Sequence, residues 1–247
     1  MTDENKKSET TPLRVRTLFF SRNFGGYSLK WFVLSRWRHL WRQGGNFKHA
    51  ENSPRAKELT HQWESAWPGC EPSGSSLRDN RPGLWLRMHS LPQDKRYADD
   101  SEERCEVLHR HQTLLNDLLS ISSSTRIRVI GQDYDISDIH SGWTKKHMPG
   151  SWPWRVHFDA DLDDDVPGQG IPGTYFWVSP YDTVGQLTGL LEQAAEDVAK
   201  FIVTDSSMTW VYAPYDGGVD IIAPTPEARE ALETAHCEWL PNETGLA

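Results

Sequence analysis

Two short stretches of the sequence gather the polar side chains that could bind a ligand or do chemistry. The first is RMHSLPQDKRY, where a predicted strand ends in a proline-containing loop. Its Arg87, Lys95 and Arg96 could hold a carboxylate or phosphate, and His89 could act as an acid or base. In the alternative interpretation, which we favour, these cations pair with acids of the chain and fix the loop.

The second stretch, YAPYDGGVD, has the pattern of a β-hairpin turn. We expect Gly217 and Gly218 to supply the positive φ angles of that turn. Asp220 alternates with apolar residues, so a cation from the first stretch should accompany it if it is buried. The ligand-binding residues predicted from both stretches are Arg87, His89, Lys95, Arg96, Tyr97, Tyr215, Asp216 and Asp220.

Other patterns carry less chemistry. The acidic run from Asp159 to Asp165 lacks the glycine and glutamate of a calcium loop. Cys105 and His109 have helical spacing, but no second pair completes a zinc site, and His111 falls on an apolar stripe as a core histidine would. GxSxG, GxGxxG and GxxxxGK motifs are absent from the sequence. We therefore predict no catalytic residue, metal or cofactor, and leave the enzyme question open, favouring a non-enzymatic function.

Charge is distributed unevenly along the 247 residues. From Glu51 onward there are 32 Asp/Glu against 16 Lys/Arg, a balance that repels nucleic acid and anionic lipid. Between Thr10 and Ala50 there are eight Lys/Arg and no acid. The segment predicts an amphipathic helix over residues 28–42, whose candidate partner- or surface-binding residues are Arg36, Trp37, Arg38, Trp41 and Arg42.

The sequence predicts a cytoplasmic protein. The number and spacing of its three cysteines do not suggest a disulfide framework. Its first residues are polar, unlike a signal peptide, and its longest apolar run, WFVL, is too short to span a bilayer. We predict a disordered tail over residues 1–12, a basic, tryptophan-rich arm over 13–55 and an acidic domain over 56–247.

Period-2 strands alternate with helical stripes in the acidic domain, which predicts an α+β fold with an antiparallel or mixed sheet covered by helices. A helix is expected from Asp100 to Leu119, a long one after Thr183 that includes Val198, and one after Thr225 that includes Trp239. Residues 46–60 are predicted to be a polar linker.

A family resemblance adds to this interpretation. The segments WPGC, RMHSLPQDKRY, EVLHRH and WVYAPYDGGVDII resemble bacterial hypothetical proteins, and the C-terminal part is similar to the family called domain of unknown function 3885. The resemblance spans about residues 60–247. It implies a bacterial cytosolic protein and supplies neither an activity nor a catalytic residue.

Three functions follow as hypotheses. The first is a protein-binding domain of the immunity or antitoxin kind with a basic partner, because an acidic surface steers basic proteins. The second is a hydrolase or small-ligand enzyme that uses the Arg87–Tyr97 loop on an anionic substrate, which requires His89, Arg96, Tyr215 and Asp216 to meet in one pocket. The third is attachment to a membrane or nucleic acid through the basic arm; in the alternative, which we favour, the arm docks on the acidic domain of the same chain. The oligomeric state is left open.

Overall fold

A computed structural model describes residues 50–122, 124–134, 143–158 and 173–241. In this part of the chain seven strands form one sheet in the order β1-β7-β6-β5-β2-β4-β3, and every neighbouring pair is antiparallel. The strands are β1 Trp85–His89, β2 Ile127–Tyr134, β3 Trp152–Phe158, β4 Gly173–Tyr181, β5 Lys200–Asp205, β6 Val211–Tyr215 and β7 Gly218–Ile222. The predicted α+β fold is confirmed, with an antiparallel sheet.

Helices cover both faces of the sheet. They are α1 Pro54–Ala66, α2 Gly74–Asn80, α3 Ser101–Ser120, α4 Trp143–His147, α5 Thr188–Ala195 and α6 Pro226–Ala235. Side chains cap them as the sequence predicts: Asp100 accepts hydrogen bonds from the backbone of Glu102 and Glu103, and Thr225 caps α6, with Pro226 at the first helical position.

Two apolar clusters lie on opposite faces of the sheet. On one face, Leu59 and Trp63 of α1 and Leu77 of α2 pack against strand residues such as Ile130 and Val211. On the other face, α3, α5 and α6 contribute the residues that pack against the alternate strand positions, and these are Leu114, Leu115, Leu118, Leu190, Leu191 and Leu232. We call these the α1–α2 face and the α3–α5 face. The apolar side chains at alternate strand positions therefore contribute to two separate cores.

Three helix predictions differ from the structure. α1 begins at Pro54, inside the predicted linker. Its sequence is mostly polar, but Ala56, Leu59 and Trp63 lie on one side of the helix and are buried against the sheet. The helix expected after Thr183 starts as a 3-10 turn, Val184–Leu187, and α5 ends at Ala195, so that Val198 is exposed. The helix predicted to include Trp239 ends earlier, at Ala235. Trp239 belongs to a separate 3-10 turn, Cys237–Trp239, and its side chain is buried.

The hairpin between β6 and β7 needs Gly218 for a reason that differs from the predicted one. Neither Gly217 nor Gly218 has a positive φ. Instead, a Cβ atom at Gly218 would lie 2.1 Å from the carbonyl oxygen of Met88, whereas a Cβ at Gly217 would meet nothing closer than 3.5 Å. Glycine at 218 therefore allows β7 to approach β1 closely.

No helix in the described ranges is both long and apolar enough to cross a bilayer. The predicted helix over residues 28–42 and the acidic run from Asp159 to Asp165 lie outside the described residues.

Candidate functional site

Asp220 lies on the α1–α2 face and is held by several donors. Arg87, opposite Asp220 in the β1–β7 register, donates from Nε over 2.8 Å and from Nη2 over 3.0 Å. Trp85 Nε1 donates over 3.1 Å, and Arg78 Nη1 lies 3.7 Å from the second oxygen. The hydrogen bond to Asp220 raises the pKa of Arg87. Arg87 is thus the cationic partner that a buried Asp220 was expected to need.

Arg87 also lies between two aromatic rings. Its guanidinium carbon is 5.4 Å from the ring centroids of both Trp85 and Tyr215. Burial raises the pKa of Tyr215 to about 12, with Arg87 acting in the opposite direction. Because Arg87 is held by Asp220 and by both rings, we interpret the cluster as a structural brace.

The remaining cations of the Arg87–Tyr97 loop are also paired. Lys95 Nζ lies 2.8 Å from Asp99 and 2.5 Å from Glu103, and these bonds, first the one to Asp99, raise the pKa of Lys95. Arg96 Nε lies 2.5 Å from Asp216. The favoured interpretation, in which the loop's cations pair with acids of the chain, is confirmed for each of the loop's Lys and Arg residues.

Asp216 is 4% exposed, at the tip of the β6–β7 hairpin, and it lies on the α3–α5 face. Besides Arg96, the hydroxyl of Tyr97 donates to it over 2.6 Å. Burial acts to raise the pKa of Asp216, but the bonds from Arg96 and Tyr97 outweigh burial and lower it. The ionised Asp216 therefore holds the loop against the hairpin.

This loop closes one side of a cavity of about 250 Å³ between α3 and α5, which we call the α3–α5 cavity. Its apolar lining includes Val107 and Leu108 of α3. The polar side chains that line it are Ser90, Arg96, Arg104, Glu192, Gln193, Glu196 and Asp216. Small-molecule sites usually measure about 300–1,000 Å³. The α3–α5 cavity lies just below the lower end of this range.

A chain of buried polar groups leads away from the cavity wall. Ser90 Oγ lies 3.0 Å from His111 Nε2, and His111 Nδ1 lies 2.5 Å from the hydroxyl of Tyr212. His111 is 1% exposed and Tyr212 fully buried. Burial lowers the pKa of His111 to about 4 and raises that of Tyr212. The prediction that His111 is a hydrogen-bonded core histidine is confirmed.

The carboxyl end of α5 carries acids where a helix favours cations. Glu192 lies in the last turn, Glu196 is the C-terminal cap residue, and Asp197 follows with a φ of 54°. The partial negative charge of the helix end repels all three, and Glu192 and Glu196 also repel each other at i, i+4. All three are exposed, and within the described ranges none makes an ion pair.

The structure divides the predicted site residues between the two faces. Arg96 and Asp216 line the α3–α5 cavity, whereas neither His89 nor Tyr215 does so. His89 Nε2 instead lies 3.2 Å from Asp94 at the end of β1. The four side chains that the enzyme hypothesis places in one pocket do not meet.

Sequence reasoning missed Ser90, Arg104, Glu192, Glu196 and Tyr212. Ser90 and Tyr212 belong to the two stretches that were singled out, but their types suggested no role. The two glutamates had a visible feature, since acids near the end of a predicted helix oppose its dipole. The predicted helix was extended past Val198, however, and this hid that end.

Metal chemistry has no evident location in the part of the chain that is described. Cys105 and His109 both lie on α3 and are exposed. No group of three or more His, Cys, Asp or Glu side chains suited to a metal occurs among the described residues.

Comparison with known proteins gives one positive result. The family model described as "Domain of unknown function (DUF3885)" matches residues 73–243, more than half of the chain. The comparisons with curated proteins and with solved structures gave no match. The matched range includes β1 to β7 and all residues that line the α3–α5 cavity. The chain belongs to the DUF3885 family.

Proposed function

We propose that this protein is a binding domain for a basic protein, and that the α3–α5 cavity receives a Lys or Arg side chain of that partner. The observation that carries the proposal is the pair Glu192 and Glu196, two exposed carboxylates without an ion-pair partner in the described ranges, which line one cavity at the unfavourable end of α5. Local rules of helix stability are broken here, and such departures often mark functional sites.

The charges that line the cavity support a cationic guest. Arg96 already forms an ion pair with Asp216. Among the other charged residues that line the cavity, the two carboxylates of Glu192 and Glu196 outnumber the one guanidinium of Arg104. Residues 94–106, which run from the loop into the first turns of α3 beside the cavity, contain six Asp/Glu and three Lys/Arg. The net negative potential would steer a basic surface toward the opening and accelerate association.

The size of the cavity allows one anchor side chain of a protein partner. Arginine is among the residues that most often fill such positions at the centre of interfaces, and a cavity of about 250 Å³ has room for it. An acidic surface that steers a basic partner suits an immunity protein or antitoxin. We therefore propose that functional class, for a cytoplasmic protein of bacterial origin.

The test compares capture of proteins from a lysate of the source organism. The bait is the full-length protein, its E192Q/E196Q variant, or a control variant, E230Q/E238Q, which removes the same charge from exposed positions on α6 and the turn that follows. We expect the wild type and the control to retain the same basic protein, and E192Q/E196Q to lose at least tenfold in affinity for it. Equal retention by all three baits would contradict the proposal.

A second function is supported by one specific contact, the 3.0 Å separation of Ser90 Oγ and His111 Nε2 at the cavity wall. In a hydrolase, Ser90 would be the nucleophile and His111 the base. Two features make this the weaker proposal. The low pKa of His111 makes it a poor base, and the backbone N–H of Ser90 already donates to Gly217, so it cannot stabilise an oxyanion.

A fluorophosphonate probe tests the hydrolase directly. Attack of Ser90 Oγ on phosphorus would expel fluoride and pass the hydroxyl proton to His111. Mass spectrometry would find the phosphonyl group on Ser90 in the wild type and not in S90A. Absence of labelling in the wild type would remove the hydrolase proposal and leave the binding proposal untouched.

The basic arm stays a separate proposal with two forms. Arg36, Trp37, Arg38, Trp41 and Arg42 either dock on acids of the same chain or bind an anionic surface such as a lipid membrane. Sedimentation with anionic vesicles distinguishes the two, since only surface binding is lost in R36Q/R38Q/R42Q. No sedimentation of the wild type would favour docking on the chain itself.

A further inference from the structure

A second cavity lies on the α1–α2 face, where α1 crosses the sheet. It measures about 190 Å³ and opens between the helix and strands β2, β3 and β4. We call it the Arg128 pocket. Arg128 enters it from β2 and Arg55 from the first turn of α1. No residue that lines the Arg128 pocket lines the α3–α5 cavity, so the two sites are independent.

Arg128 is unusual among the arginines of the sheet because it is half-buried without a carboxylate. Its one described hydrogen bond is a long one, 3.4 Å from Nη1 to Gln62 Oε1. Burial first, and then the positive charge of Arg55, lower the pKa of Arg128, while Asp205 acts in the opposite direction. Asp205 is itself fully buried and bonded to Ser122 and Thr209. The pocket thus holds a cation whose charge is poorly compensated.

Arg55 adds a second positive charge at the same place. Its guanidinium carbon lies 4.0 Å from the ring centroid of Trp152, which orients it over the indole. The one acid that lines the pocket, Glu58, accepts a 2.8 Å hydrogen bond from the Gln62 amide and forms no ion pair with either arginine within the described ranges. Two guanidiniums therefore face one cavity whose wall carries a single carboxylate, that of Glu58.

Trp152 forms an aromatic wall of the pocket. Arg55 packs on the face of its indole, and the indole Nε1 is buried. A buried nitrogen offers a ligand no surface to contact, so the ring is the part of Trp152 that a ligand can meet.

We propose that the Arg128 pocket binds the phosphoryl group of a small organic phosphate, through Arg55 and Arg128, beside the indole ring of Trp152. Planar guanidiniums bind phosphate oxygens in pairs, and the two arginines of the pocket outnumber its one carboxylate. The apolar side chains of Leu59 and Val178 on the same wall would contact the organic part of the ligand. The site is built on a helix and three strands, which hold it in place without the ligand.

The experiment measures binding of two probes, inorganic phosphate and phenyl phosphate, to the full-length protein by isothermal titration calorimetry at constant ionic strength. We expect millimolar or tighter binding, and at least a tenfold loss of affinity in R128M and in R55Q. Tighter binding of phenyl phosphate identifies an ester as the ligand class. Equal binding assigns the recognition to the phosphoryl group alone.

The matched control is R126Q, which removes an exposed arginine two residues from Arg128 and outside the pocket. It should bind both probes as the wild type does. R128M also gives an independent result, because removal of an uncompensated charge should raise the melting temperature of the ligand-free protein. Arg55 is exposed, so R55Q should fold, and it tests the pocket even if R128M does not fold. Absence of binding of both probes to the wild type, or equal affinity in R55Q, would overturn the proposal.

Discussion

On the α1–α2 face, Asp220 is surrounded by the donors of Arg87, Trp85 and Arg78, whereas on the α3–α5 face Glu192 and Glu196 make no described ion pair. Asp220 is buried, whereas Glu192 and Glu196 are exposed. A buried acid must be compensated within the chain, and an exposed acid need not be. The comparison separates charges that maintain the fold from charges that are available to a partner.

The hairpin that connects the two faces should be the most sensitive position. In G218A the new Cβ would collide with the backbone of β1, and a carbonyl oxygen cannot rotate away as a side chain can. We expect a loss of about 4 kcal/mol or more in the free energy of unfolding, measured by urea denaturation. G217A is the control, since its Cβ would make only ordinary contacts. Similar stability of the two variants would contradict the close-approach explanation.

Removal of the buried carboxylate of Asp220 should reduce the free energy of unfolding slightly less than G218A does. D220A leaves the guanidinium of Arg87 and the indole of Trp85 without their acceptor, and we expect the free energy of unfolding to fall by about 3 kcal/mol. D79A removes a largely exposed acid that also pairs with an arginine, Arg78, and should cost less than about 1 kcal/mol. Equal losses for the two variants would mean that the Asp220 cluster is no brace.

Protonation of His111 should make the stability depend on pH. Its pKa is about 4 in the folded protein and 6.5 in the unfolded chain, so below pH 6.5 the unfolded state binds a proton that the folded state does not. Stability from the neutral His111 is complete above pH 6.5 and is lost as the pH falls toward 4. The loss should approach about 3 kcal/mol.

The comparison of wild type with H111Q isolates this term. Burial raises the pKa of Asp133 to about 6, and this group contributes the opposite slope, because its stability is lost as the pH rises toward 6. Asp133 is present in both proteins, so its contribution cancels in the difference. A stability difference that does not change between pH 7 and pH 4 would show that His111 is not held neutral.

Neutralisation of the cavity acids should have the smallest effect, and with the opposite sign. In E192Q/E196Q the repulsion between the two carboxylates and from the end of α5 disappears, so the free energy of unfolding should rise by about 0.5 kcal/mol. The measurement is again urea denaturation, with E230Q/E238Q for comparison. A clear loss of stability would mean that the two glutamates support the fold.

Sequence patterns were sufficient to predict a strand or helix where the pattern depends on that element alone. The alternation around Arg87 and Asp220 located β1 and β7, and the capping residues Asp100 and Thr225 located the starts of α3 and α6. α1 was missed because its apolar residues are few, and only the sheet beneath them makes the helix stable.

The site was less predictable because it depends on which face of the sheet each side chain occupies. Tyr215 and Asp216 are neighbours in sequence, but Tyr215 contacts Arg87 while Asp216 lines the α3–α5 cavity. Glu192 and Glu196 come from a helix more than ninety residues from the Arg96 loop in sequence. Pairing of the loop's cations with acids was predictable as a class, but their individual partners were not.

The proposed function requires that Glu192 and Glu196 of the α3–α5 cavity, which form no ion pair in the described ranges, accept a cationic side chain. The most direct measurement is an amide NMR titration of the full-length protein with N-acetylarginine amide, and in parallel with the uncharged analogue N-acetylcitrulline amide. We predict shift changes at Ser90, Glu192, Gln193 and Glu196 with the arginine compound only, and their loss in E192Q/E196Q. Identical responses to both compounds, or no response at these residues, would contradict the claim.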